Sequence, residues 1–347
     1  MKNIESQVTT IGIAGEGKMG TAIFNHFLDH GFTMRWLCSS RADLDKLRRQ
    51  TARRVARRMD GVPDSGVAGS TLHSWQVSSS KDIFGDCQLV IEAIPEVLEM
   101  KTNFFKEIDP VLSGSTIVTS NSSSFLPSVL NPITTRKARF CGLHFFYPLE
   151  FKRFAEVIPG PDTDAAIPGI LEDLLQQTGM TGLVLCEANS FIMNRIMLDV
   201  QAEAWNLVSS GRCTAAQLDA WVSKSLFPSG IFSVMDQVGL DTMLSATTEY
   251  VKNYRDKDQY QPLIIELHRL VESGRTGKKD GPGFYPEPTE NDGLAEPDPE
   301  AKAEILRFIH HTWLSSCKRA AMSTRIPIPD LNSAICDYFD LEKGPFE

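Results

Sequence analysis

The sequence predicts an α/β protein: a doubly wound, mostly parallel sheet followed by an all-α region. Three observations predict it. In the first half, short apolar runs alternate with amphipathic stretches, the pattern of strands with covering helices. A glycine-rich turn follows the first of those runs. From about residue 187 the texture changes: FIMNRIMLDVQAEAWNLVSSG carries apolar residues at helical spacing and no strand alternation.

The strand candidates are Thr10–Ala14, Thr33–Cys38, Cys87–Ile94, Thr116–Ser120 and Phe140–His144. The stretch Lys18–His30 places Ile23, Phe24, Phe27 and Leu28 on one side and stops at Gly31, a natural left-handed cap. Residues 1–186 are therefore expected to form a dinucleotide-binding domain and 187–285 a helical domain. Residues 286–300, PEPTENDGLAEPDPE, read as a linker because proline and acid dominate them. Residues 301–347 read as a partial second copy of the helical domain. RIPIPDLNSAI at Arg325 echoes RCTAAQLDAWV at Arg212, and EKGPF at 342–346 echoes PSGIF at 228–232.

Composition excludes several classes. A net charge of -9 argues against nucleic acid as a partner of the whole chain. No apolar run approaches the roughly 20 residues that span a bilayer, and the start MKNIESQVTT has no leader character, so a cytoplasmic location is the simplest expectation. The seven cysteines are scattered with no C-x-x-C, so neither a disulfide framework nor a metal site is expected.

The glycine turn is the first motif with chemistry. Gly15-Glu-Gly17-Lys18-Met19-Gly20 follows the run TIGIA and opens the first helix, the context that a dinucleotide fingerprint requires. Gly15 permits the tight turn, Gly17 lets backbone approach a pyrophosphate, and Gly20 lets helix pack on strand. An acid normally follows at the end of the second strand and binds the adenosine ribose of NAD. Here the chain reads Cys38-Ser39-Ser40-Arg41. An uncharged pocket beside an arginine suits a 2′-phosphate, so the expectation leans from NAD to NADP. Residues 46–58 hold seven Lys and Arg and no acid. They form either a solvated helix or a receiver of a polyanionic substrate, with Arg53 and Arg54 as the candidate contacts.

His144 lies in CGLHFFYPLEFKRFAEVIPG with Glu156 twelve residues on. Alone it is as easily a core histidine as a catalyst. Its company resembles the L-3-hydroxyacyl-CoA dehydrogenases: GEGKMG at 15–20, VIEAIPE at 90–96, NSSS at 121–124, His-Phe-Phe-x-Pro at His144, FIMNR at 191–195, DQVGLDT at 236–242 and GKKDGPGFY at 277–285. The resemblance implies a Rossmann domain and a helical domain that commonly dimerises. It also implies NAD(P)-dependent conversion of an acyl-CoA substrate. It places His144 as the acid/base, Glu156 as its partner, and Ser123 and Asn194 on the reacting oxygen. Glu96, Lys101 and Lys279 would line the cofactor. The chain departs from the family at Cys38, at Tyr147 where asparagine is usual, and at Asn189-Ser190 where Pro-Gly is usual. It also runs on past the GKK motif, which implies a pseudo-dimeric monomer as the alternative to a homodimer. The rival readings are a dehydrogenase of a free hydroxy acid, of carnitine or gulonate type, and a dinucleotide-binding protein without catalysis.

Overall fold

The computed structural model describes residues 8–59, 74–187, 191–252, 254, 256–278, 281–285, 298–324 and 326–347. The chain divides into two compact units, Met1–Ser190 and Phe191–Glu347.

In the first unit the elements run β1 (Thr10–Ala14), α1 (Lys18–Asp29), β2 (Thr33–Leu37), α2 (Leu44–Met59), β3 (Trp75–Ser78), β4 (Leu89–Glu92), α3 (Leu98–Ile108) and β5 (Ile117–Ser120). The chain continues through α4 (Pro127–Leu130), β6 (Phe140–Phe145), β7 (Phe154–Pro159), α5 (Ile167–Gln177) and β8 (Thr181–Val184). The strands form one eight-stranded sheet in the order β3-β2-β1-β4-β5-β6-β7-β8. All neighbours are parallel except β6 and β7. The expected doubly wound sheet is present. Strands β3, β7 and β8 extend the five predicted from sequence.

Strand order reverses between β1 and β4, and the glycine turn sits at the β1 side of that switch point, where such folds bind ligands. Gly15 has φ +113, and a Cβ there would lie 2.4 Å from the Ala93 carbonyl oxygen. A Cβ on Gly20 would lie 2.2 Å from the Gly15 carbonyl oxygen, so helix α1 reaches its strand only because the side chain is missing. Trp36 on β2 donates its indole N–H to the same Gly15 carbonyl at 2.8 Å and stacks on Phe24 of α1. The turn is thus anchored by a core aromatic that itself packs on α1. Helix α1 ends as predicted, with Gly31 at φ +85 and the Phe32 N–H returning to the Phe27 carbonyl.

The second unit is helical among its described residues: α6 (Ile192–Ser209), α7 (Ala215–Val222), α8 (Ile231–Val238), α9 (Leu240–Lys252), α10 (Gln261–Glu272), α11 (Pro299–Ser323) and α12 (Ile328–Phe339). Helix α11 packs along α6. Asp199 on α6 ties them, accepting from Ser316 and from Arg319 at 2.7 Å. Two turns close alike. Asp219 on α7 accepts from the Phe232 N–H at 3.0 Å, and Asn332 on α12 accepts from the Phe346 N–H at 3.2 Å. In both, a glycine, Gly230 or Gly344, packs so close to that side chain that a Cβ would overlap it. Among the described residues no helix is long and apolar enough to cross a membrane.

Candidate active site

The antiparallel pairing of β6 with β7 sets His144 directly opposite Glu156. Directly opposed residues project to the same face of a sheet. A spacing of twelve that no single helix face could bridge therefore becomes a contact. His144 Nδ1 lies 2.8 Å from Glu156 Oε2. The histidine is 4% exposed and the glutamate 0%. A carboxylate so buried needs a polar partner, and the imidazole supplies one. The Phe146 ring packs edge-on against the imidazole at 4.4 Å.

The serine turn after β5 is organised by Glu96. Its carboxylate accepts from the Ser122 hydroxyl, the Ser123 N–H at 3.1 Å, the Ser124 N–H at 3.0 Å and the Ser124 hydroxyl at 2.7 Å. Asn121, from the same turn, accepts the Phe145 N–H at 2.8 Å and so ties the turn to the histidine strand. Below Glu96 lies Lys101, 1% exposed, with its ammonium 2.6 Å from Glu92 and 3.1 Å from Glu96. Glu92 accepts further bonds from the Ser120 hydroxyl at 2.5 Å and the Ile94 N–H at 2.8 Å. Burial works against the Glu96 charge, but Lys101 and the serine donors outweigh it and hold its carboxyl below the usual range. Burial likewise opposes the Lys101 charge, and the two carboxylates outweigh it and push its ammonium above the usual range.

The residues named from sequence therefore fall into groups. His144 and Glu156 meet; Ser123, Glu96 and Lys101 meet around the serine turn. Asn194 belongs to the second unit, on the first turn of α6. Its amide donates to the Tyr250 hydroxyl at 2.9 Å, and its carbonyl accepts from the Tyr338 hydroxyl of α12 at 3.0 Å. Arg54 is ion-paired with Asp29, holding α2 to α1, while Arg53 is exposed. Tyr147 is 56% exposed. Lys279, Asn189 and Ser190 lie outside the described residues. Glu92, Asn121, Phe146 and Tyr338 were missed. Glu92, Asn121 and Phe146 stand inside motifs read from the sequence but were given no role there; Tyr338 carried no signal.

The glycine turn suits a dinucleotide. A Cβ on Gly17 would meet nothing within 4 Å, leaving open space before the N-terminus of α1. The first N–H groups of a helix have no acceptor within it, so those of Lys18, Met19 and Gly20 face that end with the helix dipole behind them. Among the described residues no group of three or more His, Cys, Asp or Glu could hold a metal ion.

A glycine turn at a switch point and a strand-paired His–Glu couple define a nicotinamide-dependent oxidoreductase. Comparison with known proteins gives the particular family. The 3-hydroxyacyl-CoA dehydrogenase NAD binding domain matches residues 10–189, and the C-terminal domain of the same family matches 191–287. The chain belongs to the 3-hydroxyacyl-CoA dehydrogenases. It is 32% identical to the human mitochondrial hydroxyacyl-coenzyme A dehydrogenase over 67% of this chain and 70% of that one. It is 29% identical to a probable 3-hydroxybutyryl-CoA dehydrogenase of Bacillus subtilis over 80% of this chain and 97% of that one. The crystal structure of (S)-3-hydroxybutyryl-CoA dehydrogenase from Ralstonia eutropha superposes with a TM-score of 0.72 at 28% identity, covering 82% of this chain and 100% of that one. The Escherichia coli K12 3-hydroxybutyryl-CoA dehydrogenase shares the fold over 98% of this chain and 90% of its own, with a TM-score of 0.80 at 19% identity.

Proposed function

We propose that this chain interconverts an L-3-hydroxyacyl-CoA and the 3-ketoacyl-CoA, with His144 as general base in oxidation and general acid in reduction. The observation that carries the reading is the buried His144–Glu156 pair, 2.8 Å apart and in strand register. Histidine titrates near neutral pH without help. With Nδ1–H donated to Glu156, Nε2 takes the hydroxyl proton, and the carboxylate stabilises the imidazolium that forms. When bound, the nicotinamide supplies or accepts the hydride. Gly15, Gly17, Lys18, Met19 and Gly20 would hold its pyrophosphate, with Ser39, Ser40 and Arg41 at the ribose end. The Ser123 hydroxyl orients the substrate oxygen; within the helical unit, Tyr250 and Tyr338 orient the Asn194 amide, the group that the resemblance assigns to the same task. Glu96 and Lys101 keep the serine turn in shape beside the cofactor. The basic helix α2, through Arg53, meets the phosphates of the CoA ester.

The matching closures at Asp219 and Asn332 support residues 301–347 as a partial second copy of the helical domain. Packed on α6 within one chain, that copy takes the place of a partner subunit, and the chain is a pseudo-dimeric monomer. Reduction of acetoacetyl-CoA against free acetoacetate, each with NADH and NADPH, tests the substrate class. Turnover of the CoA ester alone is expected. Equal turnover of the free acid would refute the reading.

A further inference from the structure

Cys38 occupies the position where this fold usually carries the ribose-binding acid. Its thiol is 3% exposed. Burial, aided by the nearby Glu16 charge and opposed by Arg48, pushes it up to about 12. It is neither charged nor available to a ribose.

A carboxylate nonetheless reaches the end of β2, from another element. Glu16 stands between Gly15 and Gly17 in the glycine turn, a position that the fingerprint leaves open to any residue. Its Oε2 accepts the Ser39 N–H at 3.0 Å and its Oε1 accepts the Ser39 hydroxyl at 2.5 Å. Ser39 follows Cys38 directly, and the Cys38 N–H is itself bonded to the Ser78 carbonyl at 2.9 Å, so the strand end that Ser39 extends is fixed. Glu16 is half-buried and Ser39 exposed. The two donors orient the carboxylate, and an ionised carboxylate has about four acceptor sites, of which these bonds use two.

We infer that Glu16 supplies from the glycine turn the carboxylate missing from β2, and that it selects NAD over NADP. The inference rests on the NAD(P)-dependent dehydrogenase reading above and deepens it. The remaining acceptor sites take the ribose hydroxyls. A 2′-phosphate, with a charge of roughly −1.5 to −2, would face a fixed like charge, and like-charge juxtaposition is a strong discriminator. The arginine that favoured NADP from sequence, Arg41, is exposed and lies two residues beyond the serine that Glu16 holds. The lean to NADP is thereby reversed.

The test is direct titration of the full-length protein with NADH and with NADPH by isothermal calorimetry, for wild type, Glu16→Gln and Ser39→Ala. Wild type should bind NADH at least about ten-fold more tightly than NADPH. Glu16→Gln should shrink that ratio by about ten-fold, mainly by tightening NADPH. Ser39→Ala, which keeps the charge but loosens its orientation, should shrink it less, mainly by weakening NADH. Tighter binding of NADPH by wild type, or an unchanged ratio in Glu16→Gln, would overturn the inference; if Glu16→Gln does not fold, the wild-type ratio alone decides it. Selective NADH binding without turnover of acetoacetyl-CoA would sink the proposed activity and leave Glu16's role standing.

Discussion

Replacing Lys101 by methionine removes the cation that pairs with both Glu92 and Glu96 while keeping the length of the side chain. Lys101 and Glu92 are 1% and 0% exposed, so no water can take over from the ammonium without a rearrangement of the core. Breaking a buried ion pair by removing one partner costs about 3–5 kcal/mol. Glu92 keeps its bonds from Ser120 and Ile94, and Glu96 keeps its serine donors, which sets the expectation near the lower end, about 3 kcal/mol. For a unit of this size that corresponds to a fall in Tm of roughly 6–12 °C. The sign with pH follows from the shifts. The depressed Glu96 carboxyl contributes stability above its unfolded value and loses it as pH falls through the folded value. The raised Lys101 ammonium contributes stability below its unfolded value and loses it as pH rises through the folded value. The deficit of the variant should therefore be greatest around neutral pH and shrink in acid as the Glu96 carboxylate protonates. Thermal unfolding followed by circular dichroism from acid to neutral pH reads both effects. Adding Glu92→Gln should restore part of the loss. A Lys101→Met protein melting within about 1 °C of wild type at neutral pH would refute the reasoning.

Asp109 offers a second pH test. Burial alone would raise its carboxyl, but bonds from Thr135, Arg136 and Thr134 hold it down to about 2. Its contribution, about 2 kcal/mol, should be complete above about pH 4 and vanish as pH falls toward 2, so Asp109→Asn should cost about that much at neutral pH and nothing in acid, by urea titration. Asn332→Ala should cost about 1–2 kcal/mol, because the Phe346 N–H loses its acceptor. Light scattering should find a monomer in solution; a stable dimer would contradict a second helical copy that substitutes for a partner. Glu156→Gln should lower kcat by about 10²–10⁴-fold with little change in KM; a purely structural role would appear as lost stability with kcat retained.

The sheet was legible where apolar runs are long and end in turns, as in TIGIA and FCGLHF. Strands β3, β7 and β8 escaped for separable reasons. WQVS and TGLV are only partly buried and carry no continuous apolar run, unlike the equally short LVIE and IVTS, and FAEVIP carries a glutamate at its centre. That glutamate is the reason the strand matters, since a charge tolerated in a buried strand needs a partner across the ladder. The same limit explains the lysine and arginines. From sequence Lys101 is expected to line the cofactor and Arg54 to contact a polyanionic substrate, whereas Lys101 is enclosed by two carboxylates and Arg54 is paired with Asp29. Asp29 lies 25 residues from Arg54, beyond a local window, and the carboxylates near Lys101 in sequence enclose it only because α3 turns it back under the strand end. Glu16 was overlooked for the opposite reason. It lies inside a motif that was read, at a position the motif leaves unspecified, and its importance comes only from Ser39, 23 residues away.

The central claim is that His144, held by Glu156, moves the proton. It is tested most directly by His144→Gln, with acetoacetyl-CoA reduction followed by cofactor absorbance and cofactor binding measured by calorimetry on the same preparation. NADH affinity should be unchanged while kcat falls by about 10²–10⁴-fold. Turnover retained at the wild-type rate by a variant that binds NADH normally would contradict it.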